Sequence, residues 1–165
     1  MTINWYGEAC FLLEAGGVRV MIEPPQKESG ITSPRLKSDI LIYSKKRLEQ
    51  PESEAFVIDG PGEYEVKGIN ILGIANPSTG SGQANTLYNI EIDGVKIAHL
   101  GFIKEESDGE TLAFLDDPDI VLVPTGGIKE ELLDAASAMK VINKLEPYIA
   151  IPMLYDIKGL KAKRA

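Results

Sequence analysis

The sequence predicts one α/β (α+β) domain spanning residues 1–165, and three observations carry that prediction. The first two thirds of the chain break into short runs rich in β-branched and aromatic residues, separated by glycine, proline and asparagine. The last third changes period, with apolar residues recurring every three or four positions between residues 128 and 146. A composition of 44% hydrophobic and 25% charged residues over 165 positions is that of an ordinary globular domain with a core of its own.

The elements follow in order. Residues 2–6 and 9–14 are β-rich, and Ala15-Gly16-Gly17 turns the chain into a third run at 18–22, opening a meander. Glu23-Pro24-Pro25 ends it, because proline cannot donate to a ladder, and the polar stretch 26–38 with Gly30 and Pro34 reads as a loop over one face. Residues 39–43 and 56–58 are short buried strands, followed by Asp59-Gly60-Pro61-Gly62, a turn whose glycines accept positive φ at little cost. Residues 65–75 resume the β pattern with a break at Gly68, and residues 76–85, with Pro77, Gly80 and Gly82, read as a flexible loop. Asp93-Gly94 between the runs 87–92 and 95–100 is the strongest hairpin signal in the chain.

Beyond residue 100 the helical period takes over. Ser107 or Asp108 caps a short helix to about residue 115, and residues 120–124 form a buried strand. Residues 128–146 form a helix with Leu132, Ala136, Met139, Ile142 and Leu145 on one face, closed by Pro147. A last apolar strand at 148–153 precedes a basic tail. Strands first, then strands alternating with helices, place the helices outside packed sheets.

Charge and rare residues narrow the function classes. A net charge of −8 and a pI near 4.7 argue against nucleic acid as a partner, since phosphate binding draws on clustered lysine and arginine. The basic groups Arg35, Lys37, Lys45, Lys46 and Arg47, and again Lys158, Lys161, Lys163 and Arg164, read as a solvated face and a tail. No apolar run approaches the roughly 20 residues of a membrane span, and residues 1–6 lack a basic flank, so a cytoplasmic protein without membrane contact is expected. Cys10, the one cysteine, cannot pair internally and reads as a buried thiol. Hydrolytic zinc sites rely chiefly on imidazole and use at least three protein ligands as a rule, yet the chain has one histidine. His99 lies in an alternating run and reads as a structural strand residue, and the acidic run Glu105-Glu106-Ser107-Asp108 reads as a solvated helix start.

The order of motifs resembles the metallo-β-lactamase superfamily, in its branch of small hydrolases similar to ascorbate-6-phosphate lactonase. Seven segments carry the likeness: Trp5-Tyr6-Gly7 with Ala9-Cys10-Phe11; Val20-Met21-Ile22-Glu23-Pro24; Asp39-Ile40-Leu41-Ile42; Ile58-Asp59-Gly60-Pro61-Gly62-Glu63-Tyr64-Glu65-Val66; Asn85-Thr86-Leu87-Tyr88; Ile97-Ala98-His99-Leu100-Gly101; and Val123-Pro124-Thr125-Gly126-Gly127 with Ile151-Pro152-Met153. The resemblance implies a four-layer αββα sandwich, shortened here at the C-terminus. It also implies where metal ligands belong, and those positions depart from the pattern. Glu8 stands for the first histidine, and the histidine-rich run is replaced by Ser44-Lys45-Lys46-Arg47-Leu48-Glu49. Ser78 stands for a later histidine, Phe102 for the bridging aspartate and Leu154 for the final histidine.

Phe102 and Leu154 offer no donor atom, so the former-site positions Glu8, Ser44, Lys46, Leu48, Glu49, Ser78, Phe102 and Leu154 are expected to hold no metal and no catalytic residue. The expected product is a metal-free, cofactor-free pseudoenzyme acting as a binding or scaffolding module, with an unidentified protein partner or a second copy of itself. Lys46 near Glu49 or Glu8 is expected to plug the closed site. The alternatives are a hydrolase with an unorthodox oxygen-ligand metal site, or a metal-independent one using Glu8, Glu49 or His99 as base.

Overall fold

A computed structural model describes residues 1–25, 37–46, 53–76, 85–105, 109–127 and 132–157. Eleven strands and two helices run along these segments. The first sheet comprises β1 (Thr2–Trp5), β2 (Phe11–Ala15), β3 (Val18–Ile22), β4 (Ile40–Ile42) and β5 (Phe56–Ile58), in that spatial order. The second comprises β6 (Gly62–Val66), β7 (Ile69–Asn76), β8 (Asn85–Ile92), β9 (Val95–His99), β10 (Ile120–Pro124) and β11 (Ile149–Met153), also neighbours in sequence order. Helix α1 (Gly109–Ala113) lies between β9 and β10, and α2 (Ala135–Leu145) between β10 and β11.

Both sheets are mixed. The meander β1–β2–β3 is antiparallel and continues into parallel β4 and β5, while β6 to β9 are antiparallel and β9, β10 and β11 run parallel. Strand alternation decides what each face meets. In β3 and β4, Val20, Ile22, Ile40 and Ile42 point inward, and from the other sheet Ile71, Tyr88, Ile90, Ile92, Ile97, Ile120 and Leu122 meet them in one buried cluster. Each such side chain contributes roughly 1.5–3 kcal/mol by leaving water. The alternate residues Leu87, Ala98, Val121 and Val123 face outward and are covered by Leu112 and Leu115 around α1 and by Ala138, Val141 and Leu145 of α2. Leu12, Met21, Leu41 and Tyr43 form a smaller cluster on the outer face of the first sheet. The predicted α/β sandwich is therefore the observed one. Among the described residues no helix is long and apolar enough to cross a membrane.

Two boundaries and one helix face differ from the sequence expectation. The run 65–75 is a hairpin, because Lys67 and Gly68 both take positive φ and turn β6 onto β7. Helix α2 begins only after Asp134, whose carboxylate accepts the Ser137 N–H at 2.7 Å as an N-cap. Leu132 and Leu133 are buried without being helical, and they extended the apparent period towards the N-terminus. Ala136 and Met139 are exposed, so the buried face is Ala138, Val141 and Leu145. Residues 26–36 of the predicted loop 26–38, and residues 128–131, lie outside the described residues.

Candidate active site

The inward alternation of the core continues one layer too far at one end of the sandwich, and there the residues turn polar. After Ile40 and Ile42 the next inward position is Ser44, and after Ile97 it is His99, both fully buried. Glu23 follows Ile22 at the end of β3 with φ 45°, and its carboxylate accepts the Ser44 N–H. The same carboxylate oxygen, Oε1, lies 3.8 Å from Nε2 of His99. Among the described residues neither ring nitrogen of His99 nor the Ser44 hydroxyl has a hydrogen-bond partner. Three such buried polar atoms in one place are unusual, since each costs on the order of 1–3 kcal/mol when unpaired.

The surrounding backbone closes on this cluster tightly. Thr86 N–H donates to the Ser44 carbonyl at 2.7 Å, which ties β4 of one sheet to β8 of the other. Asn85 bridges outward from β8: its amide nitrogen donates to the Leu100 carbonyl at 3.3 Å and its oxygen accepts Phe102 N–H at 2.9 Å. Gly101 sits beneath them at φ 57°, and a Cβ there would meet Asn85 Oδ1 at 2.5 Å and Ser44 Oγ at 2.6 Å. Only glycine fits that position. Tyr88 fills the layer below, its hydroxyl donating to the carbonyls of Tyr43 at 2.9 Å and Gly60 at 3.2 Å. Burial pushes the Tyr88 phenol well above its ordinary range.

The former-site positions converge on the same end. Glu8 stands in the tight turn between β1 and β2 at φ 50°, and its carbonyl accepts Leu154 N–H at 3.2 Å and the Trp5 indole N–H at 3.1 Å. Trp5 and Tyr155 stack beside this turn with ring centroids 5.4 Å apart. Cys10 lies behind it; burial first, then the carboxylates of Glu23 and Glu8, raise its thiol from 9.0 to about 12, so it stays protonated and inert. Leu154 is buried in the inter-sheet core and Phe102 is half-buried against it. Lys46 is exposed, and the cation that reaches this rim is Lys45, whose Nζ lies 4.7 Å from the centre of the Phe102 ring. Leu48, Glu49 and Ser78 lie outside the described residues, as does half of the expected Lys46–Glu49 plug.

The sequence treated His99 as structural and did not single out Glu23 as a site residue. Parity is the signal that finds His99, and Ser44 with it: a serine and a histidine on the inward register of strands that are otherwise apolar; Glu23 carries no such signal.

A metal centre of this fold needs three or more imidazole, carboxylate or thiolate donors in fixed geometry. Among the described residues no three histidines, cysteines, aspartates or glutamates come together to hold an ion. Phe102 and Leu154 present hydrocarbon, and the Cys10 thiol is held protonated. The described donor set does not fit a paired-metal centre.

Comparison with known proteins supplies the rest. The profile of the beta-lactamase superfamily domain matches residues 2–154. A metal-dependent hydrolase of Thermoplasma acidophilum is 27% identical over 192 residues, covering 94% of this chain and 84% of its own length. A metal-dependent hydrolase of Archaeoglobus fulgidus is 26% identical over 205 residues, with 99% and 87% covered. Among solved structures, a Thermotoga maritima protein described as a Zn-dependent hydrolase of the metallo-β-lactamase superfamily superposes with a TM-score of 0.82 at 28% identity, covering 98% of this chain and 78% of that one. A metallo hydrolase of Ignicoccus hospitalis shares the fold, with a TM-score of 0.72 at 17% identity and 98% and 85% covered.

These relatives overturn the expectation of a non-catalytic, metal-free scaffold, and they point to a catalytic hydrolase. That expectation equated loss of one ligand pattern with loss of reaction. The physical flaw lies at Glu23, Ser44 and His99, where costly buried polar groups persist at the same end of the sandwich. With the profile matching nearly end to end, the chain belongs to the beta-lactamase superfamily domain family.

Proposed function

We propose that the chain is a hydrolase whose reacting groups are the imidazole of His99 and the carboxylate of Glu23, with the Ser44 hydroxyl beside them. The observation that carries this is the buried, unpartnered imidazole facing a carboxylate at 3.8 Å. Catalytic contacts in ligand-free structures are often long and tighten when substrate binds. Nε2 is the nitrogen nearer Glu23, and in the tautomer that carries its proton there Nδ1 is the accepting atom. A water gives its proton to Nδ1 and its oxygen to an electrophilic carbonyl or phosphoryl centre. The bond to the leaving oxygen breaks, and the imidazolium returns the proton to that oxygen. Glu23 stabilises the transient imidazolium, as a carboxylate does beside any catalytic imidazole. The tight packing around Asn85, Gly101 and Tyr88 keeps bulk water from competing.

The names of the relatives favour a second reading, in which an oxygen-ligand metal site serves the same reaction. Both are tested by incubating the purified protein with chromogenic carboxylic esters, phosphodiesters and a lactone, with and without a chelator. Turnover that survives chelation and falls at least about 100-fold in Glu23→Gln supports the imidazole–carboxylate pair. Turnover lost to chelator and restored by added zinc or magnesium selects the metal site instead. No turnover on any of these bonds ends the hydrolase assignment.

A further inference from the structure

We propose that Lys45 and Phe102 form an oxyanion subsite that selects substrates carrying a phosphate or carboxylate group, which deepens the hydrolase assignment and rests on it for the word substrate. Lys45 follows Ser44 directly, and its backbone pairs with Asn85 of β8, so its stem is anchored to both sheets. Its ammonium lies over the Phe102 ring at 4.7 Å from the centroid, and Phe102 is itself fixed by its N–H bond to Asn85 Oδ1 and by packing on the inter-sheet core. The ring therefore sets the direction of a long flexible side chain without neutralising it. No carboxylate of the described residues lies within ion-pair distance of Lys45, whereas Arg19, Lys67 and Lys96 each pair with one. In a chain of net charge −8, a half-buried lysine with no carboxylate of the described residues at ion-pair distance is an unusual placement. A strongly hydrated ammonium held against a ring keeps its remaining donors for one ligand, and the ligand that matches a cation with three N–H donors is an oxyanion.

The geometry also explains why the adjacent lysine does not serve. Lys46 is exposed and makes no ring contact among the described residues. Of the two, Lys45 is the one whose backbone bridges to Asn85, next to the Ser44–Asn85–Gly101 knot, and its ammonium lies over Phe102, whose N–H is held by the same Asn85.

The test needs no turnover, so its failure is distinct from failure of the hydrolase assignment. Inorganic phosphate and, in a second arm, acetate are titrated into the protein while backbone amide resonances near Asn85 and Phe102 are followed, at two salt concentrations. Saturable shifts there that weaken at higher salt are expected, with affinity reduced roughly tenfold in Lys45→Met and largely kept in Lys45→Arg. Lys144→Met, the same charge loss on α2, is expected to leave the affinity as it was. The phosphate and acetate arms rank the two oxyanions. Equal affinity in the parent and in Lys45→Met, or the same loss in Lys144→Met, overturns the subsite. The role of the ring is checked by Phe102→Leu, which keeps an apolar side chain and removes the π face; unchanged affinity and unchanged Lys45 mobility in that variant overturn that role.

Discussion

The middle of the sandwich and its site end are built from the same strands and obey opposite rules. Between the sheets, Ile22, Ile42, Ile90, Ile97 and Leu122 bury hydrocarbon against hydrocarbon, and the Tyr88 hydroxyl among them is hydrogen-bonded. One layer further along the same strands stand Ser44 and His99, buried to the same degree but with unpartnered polar atoms, above a glycine that tolerates no side chain. The middle lowers the free energy of the fold and the end raises it. Stability alone does not favour such an end, and a stability cost concentrated in one place is what functional sites commonly carry.

Substitutions distinguish the two regions. Ile90→Ala in the middle is expected to cost about 3–4 kcal/mol through lost burial and a residual cavity, read from the urea midpoint. Gly101→Ala at the site end comes next, at about 2–3 kcal/mol, since its Cβ would press on Asn85 and Ser44 from a left-handed backbone. A Gly101→Ala protein as stable as the parent would mean the knot is looser than these distances imply. Ser44→Ala reverses the sign: removing an unpartnered buried hydroxyl is expected to leave the midpoint unchanged or raise it by up to about 1 kcal/mol. A loss of more than about 1 kcal/mol there would show that the hydroxyl is satisfied in solution, and the contrast between the regions would fail.

The smallest effect belongs to neither region. Asp39 pairs with Lys67 at the opposite end of the first sheet, and that hydrogen bond, with the Arg19 backbone N–H, holds its carboxyl below the usual 3.8. A lowered folded pKa gives stability that is present above 3.8 and lost as the pH falls below it. Lys67→Met is expected to cost about 0–1 kcal/mol at neutral pH and to flatten this acid limb, as for a solvent-screened pair. An acid limb of unchanged steepness in Lys67→Met would assign that dependence to other carboxylates.

Much of the fold is legible in the sequence because burial writes itself as period. The alternation of Ile120, Leu122 against Val121, Val123 already separates the inter-sheet face from the helix-covered one, and Asp93-Gly94 marks its hairpin. The start of α2 is less legible, because Leu133, buried in the same cluster as the helix, and Leu132, buried in the inter-sheet cluster, mimic its spacing until Asp134 caps it. The site is legible only in part. Ser44 and His99 fall on the inward parity, but nothing local says that Glu23, far away in sequence, turns its carboxylate towards both. Nor does the pair Lys45-Lys46 reveal which lysine reaches Phe102; the bridge between Lys45 and Asn85 settles that, and it is a contact between sheets.

The most direct measurement takes turnover and thermal midpoint from the same preparations of the parent and of His99→Gln. The buried imidazole beside Glu23 is expected to matter for reaction and little for folding. Turnover of the best ester in the panel should fall at least about 100-fold, with the midpoint kept or raised. Parental turnover in His99→Gln, or a turnover loss matched by a collapse of the midpoint, would contradict the assignment of that end of the sandwich as the reacting site.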